Sequence, residues 1–157
     1  MLFRLVNWLL FGMAAIYFAI NMGACFAKEP SEKWLTYYPY TVKITGQLII
    51  RNEYGPPGYG ENPMTDAKGQ IYVLILDSPI NVKANDKNDG DTGAFKNIKE
   101  IQLIASSYDD YKCYASLVDH HAWVLGQLGE GDTGGQYTKI VLFVKSIESK
   151  SKVCDRK

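Results

Sequence analysis

The sequence has no excess of either charge. Its 157 residues include 17 Lys and Arg and 17 Asp and Glu, which gives a formal net charge of zero. A protein that binds the phosphate backbone of nucleic acids usually carries a basic stripe, and one held at an anionic membrane surface carries a polybasic segment. The charge balance argues against both classes, and no nucleic-acid partner is expected.

Histidine is nearly absent, since His120 and His121 are the only two in the chain. Adjacent residues of a strand point to opposite faces, so these two imidazoles are not placed to share a metal ion or a proton. The nearby candidate nucleophiles, Cys113 and Ser116, lack a nucleophile-elbow motif. We therefore expect a protein without enzymatic activity, without a metal site and without a cofactor.

Two segments resemble ligand-binding loops but lack the required chemistry. The Asn- and Asp-rich segment 85–91 puts Lys87 at a calcium-ligand position and is followed by Lys96 where a bidentate Glu belongs. The glycine-rich segment 129–135 lacks the Lys of a phosphate-binding loop and contains two acidic residues that repel phosphate. Both segments are expected to be solvated loops.

The N-terminus has the three-part pattern of a secretory signal peptide. Arg4 precedes an almost wholly apolar run, 5–20, and small residues ending at Ala27 come before a polar stretch. Cleavage after Ala27 would release a periplasmic or secreted protein. Alternatively, Cys25 is the lipidated residue of a lipoprotein, or the apolar run stays uncleaved as an anchor. A membrane is expected to be contacted only through this leader or through a lipid on Cys25.

Cysteine is scarce too, with three in the chain. Once Cys25 is removed or lipidated, Cys113 and Cys154 remain, and an even pair in an oxidising compartment is most simply one disulfide. This disulfide would close a loop of about 40 residues, worth about 3–4 kcal/mol in the loop-entropy model. Two free thiols are the alternative. The bond would hold the charged tail of the chain against the domain.

Alternating apolar residues predict five strands and one short helix. The strands are expected near 41–50, 70–76, 97–105, 121–128 and 137–147. The segment 106–110 contains the predicted cap of a helix that runs to about Leu117. Gly46 and Gly126, inside the first and fourth strands, indicate sharp coiling of those strands. The order is that of a five-stranded OB-like Greek-key barrel with the helix between strands 3 and 4; a small β-sandwich is the alternative.

Four segments follow from these patterns. They are a signal peptide, 1–27, an N-terminal arm, 28–40, a β-barrel domain, 41–148, and a charged C-terminal tail, 149–157. The arm is rich in aromatic residues, which are expected to pack on the domain, and a short helical turn is expected at 31–35.

Tyrosine is the one enriched residue type, with 11 in the chain. Aromatic rings on the loops of a barrel can stack on a sugar or anchor a protein partner. The tyrosines that lie in or beside predicted loops are therefore the candidate ligand-binding residues, Tyr54, Tyr59, Tyr108, Tyr111 and Tyr137.

Several short motifs of the chain form a familiar pattern. They are Gly-Gln-Leu at 46–48, Gly-Pro-Pro-Gly-Tyr-Gly-Glu-Asn-Pro at 55–63, the strand and Asp-Ser-Pro-Ile at 72–80, and Gly-Gln-Leu at 126–128 with a later Thr-Gly. This pattern resembles a family of exported bacterial domains of unknown function (domain of unknown function 4431) over about 41–147. The resemblance implies a small exported OB-like barrel and no particular activity. After the Thr-Gly pair that family is expected to have a His-rich stretch, whereas this chain has Gly135-Gln136-Tyr137. No metal-binding or acid–base role of such histidines is therefore expected in this chain.

These observations favour an exported, non-catalytic binding module of the cell envelope. We expect it to recognise a protein or peptide partner through its loops, with an inhibitor-like or immunity-like role included. A carbohydrate- or oligomer-binding module is the alternative. A hydrolase of envelope polymers is disfavoured, because the acidic pairs Asp109-Asp110 and Glu130/Asp132 lie on loops without a convincing partner.

Overall fold

The structure is a computed structural model that describes residues 34–84, 93–150 and 152–155. The predictions for the signal peptide, for Cys25 and for the Asn-rich segment 85–91 lie outside these residues. The described chain is mainly β, with strands β1 (Trp34–Leu35), β2 (Thr41–Tyr54), β3 (Lys68–Val82) and β4 (Phe95–Ile104), helix α1 (Tyr108–Ala115), and strands β5 (His121–Glu130), β6 (Ile140–Glu148) and β7 (Val153–Asp155). Within the described part, no helix has the length and apolarity needed to cross a membrane.

Hydrogen bonds connect five of the strands in a ring. The neighbours run β3, β2, β5, β6 and β4, and β4 pairs back with β3. All of these pairs are antiparallel except β4–β6, which is parallel. The short strand β1 adds to β3 in parallel, and β7 adds to β6 antiparallel. For the residues that the structure describes, the prediction of a mainly β fold with one short helix is confirmed.

The interior of the ring is filled by apolar side chains of the strands. In β2, for example, Val42, Ile44, Gly46 and Leu48 are buried, while the residues that alternate with them are partly or fully exposed. The largest fully buried side chains include Leu48, Leu74, Ile101, Leu128, Leu142 and Ile147. Burying one such side chain contributes about 1.5–3 kcal/mol, so this cluster is the main stabilising element of the domain.

Gly46 and Gly126 lie where a neighbouring strand comes close. Gly46 pairs on one side with Leu76 and on the other with Ala122, and a Cβ built on it would overlap the carbonyl oxygen of Ile75. At Gly126 the β5–β6 register shifts, and a Cβ would lie 2.5 Å from the carbonyl oxygen of Phe143. Both glycines therefore allow a strand to bend tightly against its neighbour.

The predicted disulfide is confirmed, since Cys113 of α1 is bonded to Cys154 of β7. The two Cα atoms are 6.1 Å apart and the residues are separated by 41 positions. Because β7 pairs with β6, the bond fastens the helix to the sheet. The same helix packs on β3 through Tyr114, whose ring meets Tyr72 edge to face at 5.9 Å.

The prediction of a helical turn at 31–35 is wrong for Trp34 and Leu35, the two residues of that segment that the structure describes. Trp34 and Leu35 are extended and pair with Asn81 and Val82 of β3. The Leu35 carbonyl also accepts a hydrogen bond from the Lys83 N–H at 2.9 Å. An extended backbone satisfies these groups on a sheet edge, which a single helical turn would not do. The tail 149–157 likewise contains strand β7, which alternation in so short a segment could not predict.

We predict that Gly46→Ala destabilises the domain, whereas Gly69→Ala, in the neighbouring strand, does not. A Cβ at Gly46 meets backbone that cannot move without breaking the β2–β3 pairing, while nothing lies within 4 Å of a Cβ at Gly69. Overpacking of this kind costs about 1–3 kcal/mol. Urea denaturation of the two variants measures the difference. Equal midpoints would show that the strands at Gly46 have room to separate.

Candidate functional site

Three of the five candidate tyrosines lie together where two loops meet. Tyr54 ends β2, Tyr59 lies in loop 55–67 between β2 and β3, and Tyr137 lies in loop 131–139 between β5 and β6. The Tyr137 hydroxyl donates to the Tyr54 carbonyl at 2.8 Å. A Cβ on the glycine at 134 would lie 2.6 Å from the Tyr59 hydroxyl oxygen, so the Tyr59 ring reaches across to loop 131–139.

The other two candidates lie elsewhere, on α1. Tyr111 stacks on Tyr72 with ring centroids 5.6 Å apart, and it meets Tyr114 edge to face at 6.0 Å. Its ring therefore packs the helix against β3. Tyr108 is 75% exposed, with the Lys112 amine 4.7 Å from its ring centroid. The structure thus places the candidates in two separate groups.

The carboxylate of Asp66 organises loop 55–67. Its Oδ1 accepts the N–H of Gly58 at 2.8 Å, and its Oδ2 accepts those of Gly60 at 2.8 Å and Asn62 at 3.1 Å. Asp66 is only 6% exposed. The donors converge because Tyr59 and Gly60 have φ angles of 51° and 103°, which turn the chain around the carboxylate. Sequence reasoning missed this residue; the only signal was an Asp at the end of a Pro- and Gly-rich turn segment.

Burial and hydrogen bonding act in opposite directions on Asp66. Burial raises the pKa of its carboxyl, but the N–H groups of Gly60, Gly58 and Asn62 lower it, and the net pKa lies below the ordinary value. A folded-state pKa below the unfolded one means that ionised Asp66 stabilises the fold above the unfolded pKa. This contribution is lost as the pH falls through the folded pKa.

Gln102 of β4 holds loop 131–139 in place. This residue is only 4% exposed. Its amide nitrogen donates to the Gly135 carbonyl at 2.9 Å, and its amide oxygen accepts the Tyr137 N–H at 2.8 Å. The Gln102 N–H in turn donates to the Thr138 hydroxyl at 2.9 Å. All these buried polar groups have partners, so the loop has a defined position.

Arg51 forms ion pairs with two acidic side chains beside the three tyrosines. Its Nε is 2.6 Å from a Glu53 oxygen, and one terminal nitrogen is 2.8 Å from a Glu100 oxygen. Burial lowers the pKa of Arg51, but Glu100 and Glu53 raise it and prevail. Burial, Glu53 and Tyr59 raise the pKa of Tyr137, which stays a protonated donor. These contacts hold the site together.

The two histidines have different partners. His120 Nδ1 is 2.8 Å from the Val118 carbonyl, and His121 Nε2 is 2.8 Å from Asp77 Oδ2. A hydrogen bond from Thr45 and the contact with His121 lower the pKa of Asp77. Among the described residues, no three or more His, Cys, Asp and Glu side chains are grouped to hold a metal ion.

Two apolar side chains of loop 55–67 face solvent. Tyr59 is 48% exposed and Met64 is 93% exposed. They are carried by a loop whose backbone is bonded to the buried Asp66 carboxylate, so their exposure belongs to an ordered segment. Both side chains are therefore accessible on an ordered part of the surface.

The fold and the site define a small, disulfide-linked, mainly β domain with two ordered loops in contact. Over residues 100–148, from the middle of β4 to the end of β6, the chain is similar to a family described as a domain of unknown function (DUF4431). This supports the predicted family over that segment, which includes Gln102, Cys113 and loop 131–139; the motifs at 46–48 and 55–63 lie outside it. No curated protein and no solved structure matches the chain.

We predict that Asp66→Asn lowers the melting temperature at pH 7 by roughly 5 °C. In the variant an NH2 group replaces one of the two carboxylate oxygens, so a donor then faces the backbone N–H donors of the loop. Glu61→Gln, an exposed acid of the same loop, is the matched control and should change little. Thermal unfolding followed from pH 7 to pH 3 checks the assignment. The difference between wild type and Asp66→Asn should shrink as the pH falls towards the depressed pKa. A constant difference would show that the charge of Asp66 is not what orders the loop.

Proposed function

We propose that the five-strand ring is an OB-like Greek-key barrel. The support is its pairing order: β2 pairs with β3 and β5, β3 with β4, β4 with β6 in parallel, and β5 with β6. Helix α1 falls between β4 and β5, the third and fourth strands of the ring. In barrels of this kind the loops between strands 1 and 2 and between strands 4 and 5 bind ligands. In this chain those are loop 55–67 and loop 131–139.

The domain is a non-catalytic binding module that recognises a protein or peptide partner through loop 55–67. The observation that carries this proposal is the exposure of Tyr59 and Met64 on a loop ordered by Asp66. Tyrosine and methionine are enriched in protein interfaces, and a loop that is already ordered loses less entropy on binding. Tyr59 also keeps a positive φ, which is uncommon for an aromatic residue and is typical of functional loops.

Met64 favours a protein over a sugar as the partner. A thioether makes no strong hydrogen bond, and its flexible side chain fills irregular apolar surfaces. A sugar would instead need directional polar groups beside a ring. A rigid loop with two apolar side chains fits the cleft of a partner protein, as an inhibitor-like or immunity-like role requires.

Export to the periplasm or the cell exterior completes the proposal. The bond between Cys113 and Cys154 supports it, since disulfides persist in oxidising compartments. The apolar leader predicted at 1–27 supplies the route, with lipidation of Cys25 as the alternative form.

Mass spectrometry of the protein isolated from its host tests export. We predict a chain that begins at Lys28 and has a mass about 2 Da below that of its reduced form, as one disulfide requires. A lipidated chain beginning at Cys25 would still support export and would identify the anchored form. A soluble cytosolic chain with Met1 and free thiols would contradict it.

We predict that Tyr59→Asn combined with Met64→Ala abolishes capture of the partner. Asn tolerates the positive φ of Tyr59, so the loop should keep its backbone while losing both apolar side chains. Tyr108→Ala removes another exposed tyrosine, on α1, and is the matched control. Affinity purification from envelope extract should enrich one protein with the wild type and the control only. Loss of two interface anchors is expected to weaken binding of that protein about 30-fold or more.

Recovery of the same protein by the double variant would place the interface away from loop 55–67. Retention on glycan resin alone, with no protein enriched, would favour the carbohydrate alternative. Unchanged melting temperatures of both variants show that the domain remains folded in the comparison.

A further inference from the structure

We propose that a groove on the other side of loop 131–139 binds a basic side chain, the guanidinium of arginine or the ammonium of lysine. The groove has a volume of about 350 Å³. The residues that matter for its chemistry are Tyr38, Gly129, Asp132, Thr133, Gln136 and Phe143. We call it the Phe143 groove.

Two aromatic side chains form the apolar part of the Phe143 groove. Tyr38 is 54% exposed and Phe143 is 43% exposed. Gly129 makes the position of the Phe143 ring possible, because a Cβ there would lie 2.7 Å from the ring carbon Cε2. Tyr38 is positioned by its N–H, which donates to the Leu128 carbonyl at 3.1 Å. Exposed rings at a groove attract cations through their electron-rich faces.

The charged groups of the groove carry one sign. Glu130 and Asp132 line it, and no Lys or Arg of the described residues does. Glu130 Oε2 accepts the Gly93 N–H at 3.3 Å, so the acidic side chain on which the proposal rests is Asp132. Lys145 follows Phe143 by two positions in β6, but its amine donates to the Thr41 hydroxyl at 2.9 Å. Aromatic rings beside carboxylates are complementary to a cation, since cation–π and charge-assisted hydrogen bonds then act on the same group. A neutral saccharide has no charge to pair with the Asp132 carboxylate.

The backbone around Asp132 is already fixed. Gln136 Oε1 accepts the N–H of Asp132 at 3.1 Å and that of Thr133 at 3.2 Å. The Gly131 N–H donates to the Lys139 carbonyl at 2.9 Å, which closes the base of the loop. A cation therefore meets a preformed position and not a loop that must first be ordered.

Titration of the purified 15N-labelled protein with Nα-acetyl-L-arginine amide tests the proposal without any knowledge of a partner. We expect saturable shifts of the Gly129, Asp132 and Gln136 amides in low salt. The neutral isostere Nα-acetyl-L-citrulline amide should bind about fivefold more weakly or not at all, because it lacks the charge.

Two variants separate the contributions of the Asp132 charge and the Phe143 ring to the binding of arginine amide. Asp132→Asn should weaken arginine amide binding about fivefold and leave citrulline amide unaffected, since it removes charge and keeps shape. Phe143→Leu should weaken it similarly by removing the ring while keeping an apolar side chain over Gly129. Asp109→Asn, which removes the charge of an exposed acid on α1 outside the groove lining, should bind like the wild type.

Equal binding of arginine and citrulline amides, or full affinity of Asp132→Asn, would overturn the proposal. So would shifts of the same amides by N-acetylglucosamine in the absence of any response to arginine amide, because the groove would then be a saccharide site. The result is independent of the partner captured through loop 55–67, so either proposal can fail while the other stands.

Discussion

The structure depends on closing five strands into a ring. To close it, β2 must pair with β3 along one edge and with β5 along the other, and the two pairings overlap at Gly46 and Gln47. A strand shared in this way has to coil, and a side chain at Gly46 would collide with the neighbouring backbone. The same closure brings the end of β2 near the end of β5. Loop 55–67 and loop 131–139 therefore meet even though 63 residues separate their nearest ends (131 − 68).

Both loops are then held by one buried polar side chain each. The Asp66 carboxylate accepts three backbone N–H groups of loop 55–67. The Gln102 side-chain amide donates to one carbonyl and accepts one N–H of loop 131–139. Buried polar groups are costly unless they are paired, so each loop is specified by the requirement to satisfy its organising residue. This explains how segments without regular hydrogen bonding keep Tyr59 and Tyr137 in fixed positions.

The elements with a strong local pattern could be predicted from the sequence. The alternation of Ile140, Leu142 and Val144 predicts β6, and the even pair that Cys113 and Cys154 form once Cys25 is set aside predicts the disulfide for an oxidising compartment. Strands β1 and β7 have two and three residues, too few for alternation to be distinguished from chance. Their formation depends on partners that are far along the chain.

The candidate site was predictable only in its residue types. Loop tyrosines could be selected, but the sequence does not distinguish Tyr111, which packs on Tyr72, from Tyr59, which faces solvent. Asp66 was missed because its role depends on backbone N–H groups four to eight positions away, which converge only when Tyr59 and Gly60 adopt positive φ angles. The aromatic walls of the Phe143 groove come from the N-terminal arm and β6, which only the folded chain brings together.

The two proposed binding surfaces share loop 131–139 as their common wall. Tyr59 reaches the loop at Gly134 from one side, and the Phe143 groove uses Asp132 and Gln136 from the other. Since Gln102 fixes the loop from beneath, a partner at either surface meets the same rigid element. The charged contacts of the two surfaces differ: Glu53 and Glu100 both pair with Arg51 beside the tyrosines, whereas no basic side chain of the described residues lines the groove. An apolar anchor on one side of the loop and a cation-binding position on the other would favour a partner whose own surface combines an apolar cleft with a nearby basic side chain.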